Sequence, residues 1–384
     1  MINSSKTNST EIFLFNVSQI GLVISLAGAS FGYSNLNSIG VWLIFIAILG
    51  VIIHEIKNRI VQKSFFWVLI ICSFSIVSIF FSGIISYQSF VALFSFIEIP
   101  AIIAISKPIN SNKRINTASV FALITTGLYI VAYFSPRSHL YMTIYGERTI
   151  NDLTLGFSNP NETGIHLMAT FYVLVSSIFF YKRIVVKLVF SFASLVCVIF
   201  VFQTLSRASI LVCCLFLGLL ILTVRKKVIP KRMQYIALIA PLVILILSLL
   251  FASYLSSIKW MNDTLDTGRT IIYMQRFRDL SLFQWIIGDY SYMFQNSLNS
   301  YLSVFVTVGI IPLILFVKII GYGFSVLNEN AIYTFNKVAF LAILLTVFHS
   351  SMESACMVSG SFYAASFYGI YIMGIDGDHY LEVN

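Results

Sequence analysis

Apolar residues run through this chain in long unbroken blocks, separated by short polar segments. The blocks fall near 12–31, 37–53, 64–82, 87–105, 115–134, 161–180, 188–205, 208–224, 235–255, 299–317, 335–349 and 356–374. A helix needs roughly 20 apolar residues to cross the hydrocarbon layer, because each residue rises only about 1.5 Å. None of the blocks shows the two-residue alternation of a barrel strand, so each predicts a helix. The fold class predicted is all-α: a polytopic membrane helical bundle of about 12 transmembrane helices, forming a single integral membrane domain over 1–384.

Composition agrees. Of the 384 residues, 58% are hydrophobic and only 10% are charged, with a mean hydropathy of +0.91. A soluble chain of this length carries far more charge to cover its surface. The first eleven residues are polar and contain one cation, Lys6, which predicts an uncleaved first helix rather than a signal peptide. Five cysteines (Cys72, Cys197, Cys213, Cys214 and Cys356) lie in or beside apolar blocks without metal-ligand spacing, and read as small packing residues. The formal charge of +9 does not predict nucleic-acid binding, since the positives are spread over alternate membrane loops.

Those loops set an orientation. Lys57, Arg59 and Lys63, then Lys107, Lys113 and Arg114, then Lys182, Arg183 and Lys187, then Arg225, Lys226, Lys227, Lys231 and Arg232 fall on one side of a twelve-span chain. Lys and Arg accumulate in cytoplasmic loops, so both termini are expected in the cytoplasm. Segments 135–160 and 256–298 are then extracytoplasmic, the second being the large outer loop, and the 206–207 turn and 350–355 lie on the same side. The outer basic residues are Arg137, Arg148, Arg207, Lys259, Arg269, Arg276 and Arg278, all but one of them arginine. Cations there oppose the orientation rule, so another role is expected to hold them. A guanidinium is always charged and its planar fork grips phosphate with two bonds. Salt bridges with outer acids such as Glu147, Asp152 and Asp279 are the plainer alternative.

Four stretches carry candidate chemistry. In the first, Asn159 suits a helix N-cap, Pro160 the first helical position, and Glu162 falls three after the cap. Asn161 and His166 are left unexplained by capping, and His166 lies one turn beyond Glu162. In the second, Leu205-Ser206-Arg207-Ala208-Ser209 joins two blocks with almost no loop, placing Arg207 at headgroup depth, either snorkelling or holding a phosphate. In the third, Asp266-Thr267-Gly268-Arg269 opens a surface helix over 269–283, on which Arg269, Tyr273 and Arg276 share one stripe and Arg278 points away. In the fourth, His349 and Glu353 end the eleventh block, and on a continuing helix they would be i, i+4 neighbours, a pair suited to general-base work. The stretch supplies too few ligands for zinc, and no metal or cofactor is expected. Glu98, in the middle of the fourth block, is an expensive intramembrane acid with either a structural or a proton-carrying role.

The order of these motifs resembles the bacterial polysaccharide polymerases of the Wzy type, which are related to O-antigen ligases. Residues 156–164 (GFSNPNETG) look like that family's Gly-Phe-x-Asn-Pro-Asn stretch. LSRAS at 205–209 looks like its Ser-Arg turn, and TGR at 267–269 is similar to the element opening its outer loop. Asn299-Ser300-Tyr301-Leu302, with Gly309 and Ile310 downstream, looks like its His-Asn-x-Tyr-Leu element. Leu298 stands where the ligases carry a histidine, which favours polymerase over ligase and leaves the base to His349 or Glu353.

The resemblance implies an inverting, metal-independent glycosyl transfer at the outer face of the bacterial cytoplasmic membrane. Donor and acceptor would be undecaprenyl-diphosphate-linked glycans, with membrane lipids and a chain-length regulator as further partners. On this reading Arg207, Arg269 and Arg276 hold the diphosphate, His349 and Glu353 supply acid–base chemistry, and Asn159, Asn161, Glu162, His166, Tyr273 and Asn299 contact substrate. A transporter or flippase of lipid-linked oligosaccharide is the competing expectation. It would spread polar groups through the core and often shows an internal repeat; no repeat is legible.

Overall fold

The computed structural model describes residues 9–57, 63–86, 111–145, 148–157, 159–225, 232–251, 254, 257–260, 263–264, 269–294, 299–329 and 334–352. The apolar blocks 87–105 and 356–374, Glu98, Leu298 and Glu353 lie outside them.

The described chain is mostly helical. In order it forms α1 (Ser9–Phe31), α2 (Ser34–Lys57), α3 (Lys63–Phe81) and α4 (Ser111–Tyr133), then strands β1 (Tyr141–Tyr145) and β2 (Arg148–Asp152). Next come α5 (Pro160–Phe180), α6 (Ile184–Gln203), α7 (Arg207–Arg225) and α8 (Arg232–Leu250), and the small strands β3 (Lys259–Trp260) and β4 (Asp263–Thr264). The chain then forms α9 (Arg269–Asp279), α10 (Leu282–Ile287), a 3-10 turn over Tyr290–Phe294, α11 (Ser300–Val308), α12 (Ile310–Glu329) and α13 (Thr334–Ser350). Both strand pairs are antiparallel hairpins, with Tyr141 opposite Asp152 in the first and Lys259 opposite Thr264 in the second.

Five of the described helices contain segments long and apolar enough to cross a membrane: Ile12–Phe31, Ile115–Tyr133, Pro160–Phe180, Ile184–Gln203 and Arg207–Arg225. Their burial patterns separate two kinds of helix. On α6 the buried positions are Phe190, Ala193, Ser194, Cys197, Phe200 and Val201, one stripe at helical spacing, while Leu188, Phe192 and Leu195 on the other side are exposed. An apolar helix bare on one side is what a lipid-facing position produces. On α5, by contrast, every residue from Thr163 to Ser177 is buried, and α11 is buried throughout. Helix α13 is nearly so. These central helices carry many of the interior polar groups, and some of these pair across helices. Tyr129 Oη lies 3.2 Å from Thr170 Oγ1, and Ser119 Oγ 2.7 Å from Ser177 Oγ, both joining α4 to α5.

Helices α1 and α2 form a hairpin whose backbones touch. A Cβ on Gly28 would overlap the Asn37 backbone, and one on Gly40 would overlap Ser25. Small residues at such crossings let two helices pack without a water-driven force.

One expected span is two helices. The block 299–317 splits at Gly309, whose φ of +90° with ψ −178° terminates α11 after nine residues. That backbone region is essentially restricted to glycine. Gly288, which ends α10, adopts nearly the same conformation. The two glycines pack reciprocally: Gly288 meets the Thr307 backbone, and Gly309 meets the Ile286 carbonyl. A side chain at either would separate α10 from α11. Helix α12 restarts at once, with Pro312 in its first turn, where a missing N–H costs little.

Candidate functional site

Four helix ends meet at the end of the bundle opposite Arg225, which closes the far end of α7. Helix α5 starts as its sequence predicts, with Asn159 Oδ1 accepting from the Glu162 N–H at 2.9 Å and Pro160 at the first position. One turn later Gly164 lies so close to α7 that a Cβ there would stand 2.7 Å from Ser209 Cβ and overlap Ser209 Oγ. Ser206, just before α7, donates through its hydroxyl to Ser209 Oγ at 3.0 Å. Ser209 Oγ in turn lies 3.4 Å from His349 Nε2, in the last turn of α13. Two residues on, the Ser351 carbonyl accepts from Asn299 Nδ2 at 3.1 Å, while Asn299 Oδ1 caps α11 through the Leu302 N–H. The helix starts of α5, α7 and α11 are thus linked through the end of α13.

The loop that seats α5 is under strain. Leu155 and Leu205 both have left-handed φ, 46° and 55°, at a cost of order 1–3 kcal/mol each for a bulky residue. They flank a bond from the Leu153 N–H to the Gln203 carbonyl at 3.0 Å, which ties the loop to the end of α6. Thr163 Oγ1 donates to the Thr154 carbonyl at 2.7 Å, and Gly156 abuts Ser30 at the end of α1. Phe157 turns inward and stacks on the His166 ring at 4.4 Å.

Each helix start carries about half a positive unit charge and each helix end about half a negative one. The starts of α5, α7 and α11 lie here beside the ends of α1, α6 and α13, and the exposed Arg207, the first residue of α7, adds a full positive charge. Backbone N–H groups and a guanidinium gathered at helix starts are the chemistry that receives a phosphate. A buried imidazole beside a hydroxyl is the chemistry that takes a proton.

The site residues expected from the sequence therefore fall into two groups. Asn159, Asn161, Glu162, His166, Arg207, Asn299 and His349 belong to the junction just described, with His166, Asn299 and His349 buried and the first turn of α5 partly exposed. Arg269, Tyr273 and Arg276 belong to α9, which packs against α8 and α11. Arg269 is the first residue of that helix, and its side chain lies outside the described residues. Tyr273 is buried, Arg276 is half-buried and Arg278 is exposed, so the stripe expected from spacing is the inward face. Arg276 stacks on the Tyr292 ring at 4.5 Å. Burial, followed by Asp279, pushes the Tyr292 phenol above its ordinary range, and the bond from Arg276 offsets part of that. Arg276 thus has the Tyr292 ring and hydroxyl as neighbours.

The continuing helix that an i, i+4 pairing of His349 with Glu353 presupposes is not found, because α13 stops at Ser350; Glu353 itself lies outside the described residues. The N–H groups of Ser351 and Met352 bond three residues back, to Phe348 and His349. The hydroxyls of Ser350 and Ser351 take the carbonyls of Val347 and Phe348, offering the backbone an exit from the helix. His349 faces Ser209 instead. Sequence reasoning missed Ser206, Ser209, Gly164 and Phe157 as members of the site. The i, i+3 spacing of Ser206 and Ser209 across Arg207 was the available signal.

Among the described residues, no three of His, Cys, Asp and Glu gather as metal ligands. No protein-family model matches this chain, and neither a curated protein nor a solved structure is similar to it.

Proposed function

We propose that this chain is a membrane glycosyltransferase that joins undecaprenyl-diphosphate-linked repeat units into a cell-surface polysaccharide. The observation that carries this reading is the convergence of three helix starts and Arg207 on the His349–Ser209 contact. It joins a phosphate-receiving surface to a proton acceptor, the two functions that displacement of a diphosphate by a sugar hydroxyl requires. In the proposed topology the chain crosses the bacterial cytoplasmic membrane twelve times with both termini inside, so that this junction opens outward.

In the proposed step, the acceptor hydroxyl oxygen forms a bond to the anomeric carbon of the donor glycan as the bond from that carbon to the diphosphate oxygen breaks. His349 takes the hydroxyl proton at Nε2, and Ser209 Oγ marks the direction from which a hydroxyl approaches that nitrogen. The diphosphate leaves with the bonding pair, and Arg207, Arg269 and the helix starts compensate its growing charge. In this reading Asn161 and Glu162, on the partly exposed first turn of α5, contact the sugar.

The test is polymerisation of purified lipid-linked repeat units by the protein in vesicles. Arg207→Ala is expected to lower chain growth by about 10²-fold, the scale of losing a charge-stabilising group, while the protein still reaches the membrane. Normal chain-length ladders would refute the phosphate role. A second reading, a flippase of the same lipid, draws on Asn336 and Lys337, which are buried near the opposite end of α13 from His349. Movement of the lipid across vesicles without chain growth would favour it.

A further inference from the structure

Helix α10 lies inside the longest polar segment of the chain, yet its sequence is Leu-Phe-Gln-Trp-Ile-Ile. Its first turn is closed by a capping box between Ser281 and Gln284, and Gln284 Nε2 donates to Asp289 at 2.9 Å. The polar atoms are thereby used internally, while Ile287 is buried and the other four apolar side chains point out. Leu282 is 86% exposed, and Phe283, Trp285 and Ile286 are all near half-exposed. Water-facing loops do not concentrate bare Leu, Phe, Trp and Ile in six residues.

The neighbours of α10 show what covers it. It packs against α3, α11 and α12. The Phe283 ring meets the edge of Phe81 at 5.1 Å, and Phe81, the last residue of α3, is itself 67% exposed. On the other side, the Ile286 carbonyl touches Gly309, the residue before α12, whose Ile310 and Ile314 are also exposed. The bare face of α10 therefore continues the bare apolar faces of two long apolar helices at the level where each ends. Trp285 has its ring edge against Phe305 at 5.4 Å and 42% of its surface free, as indoles sit at the boundary between acyl chains and headgroups. Arg278, exposed on the preceding helix, is in reach of the same layer.

We propose that α10 is embedded in the bilayer, with Leu282, Phe283 and Ile286 among the upper acyl chains, Trp285 at the glycerol level and Arg278 against lipid phosphates. The occupant of this surface is phospholipid. The outer segment is thus anchored at its middle, and the paired glycines Gly288 and Gly309 join that anchor to α11. The anchor stands whether or not the chain polymerises glycans.

The full chain retaining Trp285 alone, with Trp42, Trp67 and Trp260 replaced by Phe, is reconstituted in phosphatidylethanolamine–phosphatidylglycerol vesicles whose acyl chains carry bromine. The expected result is at least a twofold loss of Trp285 emission to brominated lipid, with little quenching by aqueous iodide. Strong iodide quenching without a bromine effect would overturn the proposal and place α10 in water. Protection from both, with disulfide-linked dimers forming in Leu282→Cys, would overturn it in favour of a second copy of the chain. Where the tryptophan replacements impair folding, Leu282→Cys in a Cys214→Ser, Cys356→Ser background, labelled with a nitrobenzoxadiazole dye, gives the same decision. Slow reduction by dithionite supports burial in lipid, and reduction as fast as that of free dye refutes it.

Discussion

Gly164→Ala places one methyl group between α5 and α7 and tests the junction directly. The new Cβ would stand 2.7 Å from Ser209 Cβ, about 1 Å inside a comfortable carbon–carbon separation. Ser209 is buried and held by Ser206 on one side and His349 on the other, so the helices must part or Ser209 must swing away. Overpacking of this kind costs about 1–3 kcal/mol. On the proposed function the chemical consequence is larger. The 3.4 Å approach of Ser209 to His349 is already near the limit of a hydrogen bond, and a displacement of about 1 Å near reacting groups lowers rates by about 10²-fold. Thermal unfolding of the detergent-solubilised protein and chain growth in vesicles read the two effects separately. Ser209→Gly removes the two nearest atoms that the methyl meets and leaves Ser206 Cβ at 3.3 Å, so Gly164→Ala with Ser209→Gly is expected to regain part of the lost stability, with a coupling of about 0.5–3 kcal/mol, without regaining full activity. If Gly164→Ala unfolds and polymerises as the parent does, α5 and α7 are not packed as described and the junction falls with them.

Gly309→Ala should destabilise by about 3 kcal/mol or more, from glycine-only backbone strain together with overlap on the Ile286 carbonyl. Gly218→Ala, with nothing within 4 Å, should be neutral or stabilising by up to about 1 kcal/mol, so equal melting temperatures for the two would contradict the split of α11 from α12. Asn299→Ala loses a cap and its bond to the Ser351 carbonyl at once, and should cost about 1–3 kcal/mol; retention by Asn299→Asp of the cap's share alone can be read from the same melts. His349→Ala should abolish chain growth while leaving the vesicle-bound protein folded, and undiminished ladders would remove His349 from the chemistry.

Among the described residues most helix positions were legible because continuous apolar blocks leave little choice of secondary structure; the surface helix expected over 269–283 is instead two, α9 ending at Asp279 and α10 starting at Leu282. The start of α5 was legible to the residue, since Asn159, Pro160 and Glu162 each have a local reason to be where they are. The break at Gly309 was not, because a lone glycine within an apolar block is common in membrane helices. Its meaning depends on Gly288, which is distant in sequence and packs against the same turn. That Tyr273 and Arg276 share a face of α9 followed from spacing; that this face turns inward did not. The partners of its residues did not, since Tyr292 lies on a separate turn. Ser209 and His349 could each be noticed, but their meeting is a fact of packing between α7 and α13, to which no local pattern points. The exit of α13 at Ser350 was hidden for a related reason: serine tolerates helix, and only Asn299 from another helix shows where the Ser351 carbonyl goes.

The two partners in the His349–Ser209 contact are 140 residues apart along the chain. Helices α5, α6 and α7 are synthesised well before α13, which packs on α5, α7, α8 and α12. A nascent polypeptide that has inserted everything up to α12 still has an open slot where α13 belongs. The His349–Ser209 contact can therefore form only after α13 is made, and a product terminated before α13 lacks that contact however well its earlier helices are inserted.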